Sequence, residues 1–129
     1  MKRVLIADDE PIERMIVTRT IQKYFPEELA VVSAANGREA VEQFFAENCQ
    51  IALLDIEMPG MNGLEAAEQI RERDKNCSII FLTAFDEFNY AKRAIAVRAM
   101  EYLLKPVEDQ ELEAVLAEAI RIADEHTDD

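Results

Sequence analysis

The sequence predicts an α/β domain in which a doubly wound, five-stranded parallel sheet is covered by helices on both faces. Five short runs of strand-forming residues alternate with segments whose apolar residues recur at helical spacing, the pattern of a parallel sheet with crossover helices. The chain has 129 residues, which suits a single domain with its own hydrophobic core. We place this domain at residues 1–125 and predict a frayed polar tail at residues 126–129.

The first half of the chain predicts two strand–helix units. Val4–Ala7 forms the first strand, and Pro11 lies in the first turn of the following helix, where its missing N–H costs little. Pro26 ends this helix, because proline cannot continue the hydrogen-bond ladder. Leu29–Ala34 forms the second strand, and Asn36-Gly37 turns the chain into the second helix. The apolar stripe of that helix consists of Ala40, Val41, Phe44 and Phe45.

The second half of the chain predicts three more strands, each followed by a helix. The predicted strands are Ile51–Leu54, Ser78–Leu82 and Met100–Leu104. The predicted helices lie around residues 64–70, 90–97 and 108–124, where apolar residues follow a helical spacing. The loop at residues 57–63 holds two glycines and a proline and is the strongest turn signal in the chain.

Charge and composition exclude several classes of function. Asp and Glu number 27 against 14 Lys and Arg, so the formal net charge is −13. Nucleic acids and anionic membranes attract positive patches, and we therefore expect no direct binding to either. No apolar run approaches the roughly 20 residues of a membrane span, and the apolar residues before Asp8 are too few for a signal peptide. The widely spaced Cys49 and Cys77 show no metal-binding motif. They also give no sign of an oxidising compartment, so we expect a cytoplasmic protein.

Polar side chains with complementary chemistry stand at the ends of four predicted strands. Asp8 and Asp9 follow the first strand, and Asp55 follows the third. Thr83 follows the fourth strand, and Lys105 follows the fifth. In a parallel sheet these ends share one edge, which is where open α/β sheets bind their ligands. The sequence therefore predicts that three acids, one hydroxyl and one lysine converge there.

This set of side chains suits a divalent cation and a phosphoryl group. Carboxylates about 4 Å apart repel by roughly 4 kcal/mol at an effective dielectric near 20, so Asp8, Asp9 and Asp55 need a counter-charge. Mg²⁺ fits because it prefers oxygen ligands and often bridges carboxylates to phosphate. Asp55 can then act as a phosphoryl acceptor, while Lys105 and Thr83 bind the phosphoryl oxygens. Each residue taken singly also has an ordinary role, as a helix-start acid, a strand residue or a surface lysine.

The same segments resemble the receiver domain of bacterial two-component response regulators over about residues 2 to 124. By this resemblance the fold is flavodoxin-like, with strand order 2-1-3-4-5. The motif around Asp55 is the most specific part of the match. The matching segments are Asp8-Asp9-Glu10-Pro11, Leu54-Asp55-Ile56-Glu57-Met58-Pro59-Gly60-Met61-Asn62-Gly63, Leu82-Thr83-Ala84 and Tyr102-Leu103-Leu104-Lys105-Pro106.

The resemblance assigns the phosphoacceptor and the metal ligands. It implies that Asp55 accepts a phosphoryl group from a partner sensor histidine kinase and that Mg²⁺ is required. Asp9 and Asp55 are the implied direct metal ligands, Asp8 contacts the metal through water, and Glu57 offers its backbone carbonyl. Glu57 and Phe85 flank the implied site, and we expect them to influence how long the phosphoryl group survives.

The resemblance also implies a switch. Thr83 and Lys105 contact the phosphoryl group, and the Lys105–Pro106 peptide bond is expected to be cis. Phosphorylation draws Thr83 toward the site, and Tyr102 follows it inward, because added charge biases a two-state loop and side chain. The fourth helix, the fifth strand and the fifth helix form the implied output face.

The segments at residues 85–91 and 102–107 are similar to receivers that are attached to arabinose-regulator-type DNA-binding domains. The resemblance therefore implies transcription regulation through an output domain that this chain does not contain. Whether the chain is an excised or a stand-alone receiver stays open. The implied partners are the sensor kinase, the output domain and a second copy bound through the output face.

Three other interpretations compete with a working receiver. A phosphatase of the haloacid dehalogenase type needs an aspartate two residues after its nucleophile, where this chain has Glu57, and it needs a cap insertion. A flavodoxin-type binding module is disfavoured because Asp8, Asp9 and Glu10 would repel the flavin phosphate. A degenerate receiver that only binds partners is excluded only by phosphorylation itself. We expect a domain that catalyses its own phosphorylation and slow dephosphorylation, not a stand-alone enzyme.

Overall fold

The computed structural model describes residues 1–127 and contains five parallel strands with the order β2-β1-β3-β4-β5. This order confirms the predicted doubly wound sheet. The strands are β1 (Lys2–Ala7), β2 (Leu29–Ala34), β3 (Ile51–Leu54), β4 (Ser78–Thr83) and β5 (Glu101–Leu104). The helices are α1 (Pro11–Tyr24), α2 (Gly37–Ala46), α3 (Gly63–Arg73), α4 (Phe88–Ala96) and α5 (Asp109–Thr127).

Three element ends differ from the prediction. β4 includes Thr83, because its carbonyl still accepts a hydrogen bond from the Lys105 N–H at the end of β5. α4 begins at Phe88, before the first apolar residue that faces the core. α5 continues to Thr127, so the tail predicted at residues 126–129 overlaps the last turn of this helix. Asp128 and Asp129 lie outside the described residues.

The core consists of two layers, one on each face of the sheet. Alternate strand residues point to opposite faces, so each strand contributes to both layers. α1 and α5 cover one face, and α2, α3 and α4 cover the other. The first layer includes Val4, Ile6, Val17, Ile21, Leu53, Ile80, Leu112 and Leu116. The second includes Leu5, Phe44, Ala52, Leu54, Leu64, Ile70, Ile79 and Phe81.

α2 and α3 begin with side-chain caps that the sequence carries. The Asn36 side chain accepts a hydrogen bond from the Glu39 N–H, and Asn62 forms a capping box with Glu65. Such caps pair backbone N–H groups that a helix start leaves without partners. The caps fix where each helix leaves the carboxyl edge of the sheet, which is the edge that carries the predicted site.

α5 is the longest helix and closes the domain. It carries acidic residues in its first turn, which favours the positive end of the helix dipole. On its exposed surface Arg121 pairs with Glu118 and Glu125. Within residues 1–127, none of the helices combines the length and the apolar composition that crossing a membrane requires.

Candidate functional site

Backbone hydrogen bonds beyond the strand ends position the predicted site residues. Each bond continues the ladder between two neighbouring strands by one residue, so the polar residue that follows a strand is held as firmly as the strand itself. The bonds run from the N–H of Asp8 to the Ala34 carbonyl (3.1 Å), from Asp55 to Ala7 (2.9 Å) and from Lys105 to Thr83 (2.8 Å). The carboxyl edge therefore presents these three side chains from a rigid frame.

The ammonium group of Lys105 lies among three carboxylates. Its Nζ is 2.9 Å from Asp8 Oδ2, 3.5 Å from Asp55 Oδ2 and 3.8 Å from Glu13 Oε2. The Asp8 and Asp55 side chains are 7% and 9% exposed, so their charges are largely removed from water. Buried carboxylates are costly without a counter-charge, and Lys105 supplies one.

The second oxygen of each buried carboxylate is held by the backbone. The Glu10 N–H donates to Asp8 Oδ1 (2.9 Å), and the Ile56 N–H donates to Asp55 Oδ1 (2.8 Å). Arg14 Nη1 also donates to the Asp8 carbonyl (2.6 Å), which ties α1 to the end of β1. As a result, both carboxylates direct Oδ2 toward Lys105.

The pKa values of Asp55 and Lys105 reflect this environment. Burial raises the pKa of Asp55 above its usual range, and Lys105 opposes this effect while the Asp8 charge adds to it. Burial alone would lower the pKa of Lys105. The hydrogen bond to Asp8 and the charges of Asp55, Asp8 and Glu13 outweigh burial, so the pKa of Lys105 is raised. The lysine is thus held in its charged form.

A cluster of carboxylates beside this pair has the chemistry of a hard-cation site. Carboxylate oxygens of Asp8, Asp9 and Glu10 lie within 4.8 Å of one another. Asp8 is buried, whereas Asp9 and Glu10 are exposed. Oxygen donors of this kind fit Mg²⁺, which binds one or two carboxylates and keeps several waters. The sequence analysis predicted Asp8 and Asp9 as metal-binding acids, and Glu10, which follows Asp9 in the chain, adds a third carboxylate to the cluster.

A cavity of about 650 Å³ opens over these groups. Its polar lining comes from Asp9, Glu10, Glu13, Asp55, Glu57 and Lys105. Its apolar lining comes from Ile16, Val17, Leu82, Ala84, Phe85, Pro106 and Val107. The cavity therefore brings the predicted acceptor Asp55 and the predicted Lys105 together with the predicted metal-binding residues Asp9 and Glu57. The Lys105–Pro106 peptide bond at its rim is cis, as the resemblance implied.

The two predicted switch residues meet at the backbone of Phe85. Thr83 is fully buried, and its Oγ1 accepts a hydrogen bond from the Phe85 N–H (3.3 Å). The Tyr102 hydroxyl donates to the Phe85 carbonyl (2.5 Å), and its ring lies 6.3 Å from the Phe81 ring. Thr83 does not line the cavity in this structure. Its hydroxyl is engaged with the loop between β4 and α4 instead.

Glu57 has a partner that the sequence did not suggest. The Tyr90 hydroxyl on α4 donates to Glu57 Oε1 (2.6 Å), a contact between residues 33 positions apart. This hydrogen bond to a carboxylate raises the pKa of Tyr90 to about 12. Helical spacing predicted only that Tyr90 belongs to the apolar stripe of the fourth helix. Its reach to the loop after β3 depends on the paths of two loops, which no local pattern encodes.

Comparison with known proteins places this arrangement in a family. Residues 4–117 match the model of the response regulator receiver domain. The positive alginate biosynthesis regulatory protein of Pseudomonas aeruginosa is 41% identical over 118 residues, which are 92% of this chain and 47% of that protein. The transcriptional regulatory protein YesN of Bacillus subtilis is 34% identical over 120 residues, 93% of this chain and 33% of the relative. The chain thus spans between a third and a half of these curated relatives.

A solved structure supports the same placement. The response regulator protein TrrA of Thermotoga maritima, crystallised in complex with Mg²⁺ and BeF, has a TM-score of 0.82 and 38% sequence identity. The match covers 92% of this chain and 99% of that one. The Mg²⁺ and the beryllium fluoride belong to that crystal. For this chain, the match shows the shared fold.

Proposed function

Because the chain belongs to the family of response regulator receiver domains, we propose that Asp55 accepts a phosphoryl group from a partner histidine kinase in a Mg²⁺-dependent reaction. The observation that carries the proposal is the pairing of Asp55 Oδ2 with the Lys105 ammonium at 3.5 Å in a cavity open to solvent. A carboxylate held by a backbone N–H on one side and a cation on the other has one oxygen aligned for attack.

The chain supplies a nucleophile and a cation to the reaction. Asp55 Oδ2 forms a bond to phosphorus while the bond between phosphorus and the donor atom breaks, and the donor leaves with that electron pair. Lys105 neutralises charge on the phosphoryl oxygens, for which alignment and electrostatic stabilisation are the main requirements. Hydrolysis of the acyl phosphate by water returns Asp55 to its starting state, which makes the modification reversible.

Asp9, Asp55 and the backbone carbonyl of Glu57 are the groups that would hold Mg²⁺ directly, and Asp8 would contact it through water. Asp8 and Asp9 belong, with Glu10, to a cluster of carboxylate oxygens, and hard oxygen donors suit Mg²⁺. Asp55 and Glu57 line the same cavity as Asp9. When bound, Mg²⁺ supplies charge neutralisation to the phosphoryl oxygens. Its positive charge also offsets the repulsion between Asp55 and the acids of the cluster.

Signalling is proposed to proceed from Thr83 and Tyr102 to the α4-β5-α5 face. Both residues contact Phe85 in the loop that leads into α4, so a movement of Thr83 toward a phosphoryl group disturbs the contact that holds Tyr102. The face presents exposed apolar residues for a second copy or an output domain, among them Phe88, Ile95 and Leu104. We propose that the output domain binds DNA, as expected for relatives named as transcriptional regulators.

Intact mass after incubation with acetyl phosphate tests the proposed function. We expect one phosphoryl increment that requires both Mg²⁺ and Asp55, so that Asp55→Asn stays unmodified. The matched control is Asp124→Asn, an exposed aspartate on α5 whose variant should be modified like the wild type. If the wild type gains no increment from acetyl phosphate or from any histidine kinase, the domain only binds partners and the proposal fails.

A further inference from the structure

α4 is attached to the rest of the domain by polar contacts more than by apolar packing against the core. Ala94 is its one buried residue, and Phe88 and Ile95 are 81% and 76% exposed. A helix with so little buried apolar surface gains little stability from the core, and its position then depends on side-chain bridges. Two such bridges reach across from α4, one to α3 and one to the loop between β3 and α3.

The two bridges differ in what they connect. Arg93 Nη2 pairs with Glu68 Oε1 at 2.8 Å, which joins two helix surfaces away from the cavity. The Tyr90 hydroxyl donates to Glu57 Oε1 at 2.6 Å. Glu57 lines the cavity together with Asp55 and lies two residues after it. The Tyr90 bond therefore links the N-terminal half of α4 directly to a charged group of the site.

The C-terminal end of α4 is anchored by a different residue. Arg71 is buried, and its Nε donates to the Val97 carbonyl at 2.8 Å while its Nη2 donates to the Arg98 carbonyl at 3.3 Å. Arg71 also donates to the Cys77 carbonyl at 2.8 Å, which ties this end of α4 to the start of β4. With that end fixed to the sheet, a shift of the helix is felt most at its N-terminal half, where Tyr90 is located.

We propose that Tyr90 is a positioning residue that draws the Glu57 carboxylate toward α4 and so keeps its charge away from the cation-binding acids. The inference rests on the proposed function, because it concerns the affinity of that same acidic site for Mg²⁺. Glu57 already lines the cavity, and without the hydroxyl its carboxylate can turn from α4 toward the cation-binding acids, where a further carboxylate strengthens the attraction for a divalent cation. Since coupling is reciprocal, a partner that shifts the start of α4 changes the Mg²⁺ affinity of the site, and Mg²⁺ changes the affinity for that partner.

A double-mutant cycle on Mg²⁺ affinity tests this coupling. Tyr90→Phe should tighten Mg²⁺ binding about threefold, because the loss of one hydrogen bond of ordinary strength frees the Glu57 carboxylate. In the Glu57→Gln background the same substitution should leave Mg²⁺ affinity unchanged. Tyr24→Phe, which removes a tyrosine hydroxyl from the distant end of α1, is the matched control and should have no effect. Equal effects of Tyr90→Phe in both backgrounds, or none in either, would overturn the proposal.

A second measurement tests the hydrogen bond between Tyr90 and Glu57 in the metal-free protein. In the metal-free protein, Tyr90→Phe should shift the ¹³Cδ resonance of the Glu57 carboxyl group, and Tyr24→Phe should not. A Glu57 resonance that is the same in Tyr90→Phe and in the wild type would show that the hydroxyl does not hold the carboxylate, and would end the proposal. This result is independent of the proposed function, whose failure would appear instead as a wild type that gains no phosphoryl increment.

Discussion

At the scale of single residues, one lysine offsets the negative charge of the buried acids in the site. Asp8 and Asp55 are both buried, and the Lys105 ammonium lies within 3.5 Å of each. Sequence patterns predicted these residues because each follows a strand, and strand ends of a parallel sheet share one edge. Glu13 and Tyr90 were not predicted, because their approach depends on the rotation of a helix and on the path of loops.

Replacing Lys105 by Met should destabilise the metal-free domain. Two buried carboxylates would lose their counter-charge, and we expect the free energy of unfolding to fall by about 2 kcal/mol, since solvent in the open cavity reduces the full cost of unpaired buried charge. Urea denaturation at pH 7 measures this loss. Lys75→Met, at an exposed lysine, is the control and should have little effect. A Lys105→Met variant as stable as the wild type would contradict the charge balance described here.

Asp55→Asn should make the metal-free domain more stable at neutral pH. Because burial raises the pKa of Asp55 above its unfolded value, the ionised carboxylate destabilises the folded state at any pH above its folded pKa. The neutral amide removes this cost. The gain should shrink as the pH falls toward the unfolded pKa of about 4, where the wild-type carboxyl is also neutral. Denaturation curves of both proteins, measured from about pH 4 to about pH 8, test this expectation, and a difference that is unchanging or reversed would contradict it.

At the scale of secondary-structure elements, the start of α3 lies in close contact with the backbone of Asp55. A Cβ at Gly63 would lie 1.9 Å from the Asp55 carbonyl oxygen and 3.0 Å from the Ile56 Cα. The Gly63 N–H also donates to the Ile56 carbonyl at 2.9 Å, so the helix start and the strand end are in direct backbone contact. The sequence marked Gly60 and Gly63 equally as turn residues. It could not distinguish the glycine needed for close approach from the one needed for a positive φ.

Gly63→Ala should therefore damage the fold much more than Gly60→Ala. The added methyl group must push α3 away from Asp55, which we expect to cost about 3 kcal/mol of unfolding free energy and to shift the amide resonances of Asp55 and Ile56. Gly60 has a φ of 74° but open space around it, so its replacement should cost about 1 kcal/mol and leave those resonances in place. Equal losses in both variants would refute the role assigned to close packing.

At the scale of the whole molecule, the strand and helix pattern was sufficient to predict a doubly wound parallel sheet, whereas the strand order was implied by the family resemblance. Runs such as Ile51–Leu54 are buried on both faces of the sheet, so they are continuous in apolar residues and easy to recognise. The exposed face of α4 was harder to predict, because Phe88 and Ile95 on that face have the same apolar character as core residues. Their exposure shows that helical spacing of apolar residues does not by itself identify core residues.

Phosphorylation should promote association through this surface. We expect Asp55-phosphorylated protein to dimerise more strongly than the unmodified form, and Ile95→Asp to reduce that gain at least tenfold, because a charge replaces an exposed apolar side chain in the contact. Sedimentation velocity with acetyl phosphate and Mg²⁺ measures the dimerisation of each protein. Ile12→Asp, at a 64% exposed isoleucine on α1, is the control. If Ile95→Asp dimerises like the wild type, the α4-β5-α5 face is not the contact.

The location of the phosphoryl group is the most direct test of the whole account. Borohydride reduces an acyl phosphate to an alcohol, so reduction after phosphorylation, followed by peptide mass analysis, identifies the modified aspartate. We expect reduction at Asp55 alone and only when Mg²⁺ was present. Reduction at Asp8 or Asp9 would contradict this expectation, because the acceptor would then be an acid other than Asp55, the one that faces Lys105 inside the cavity.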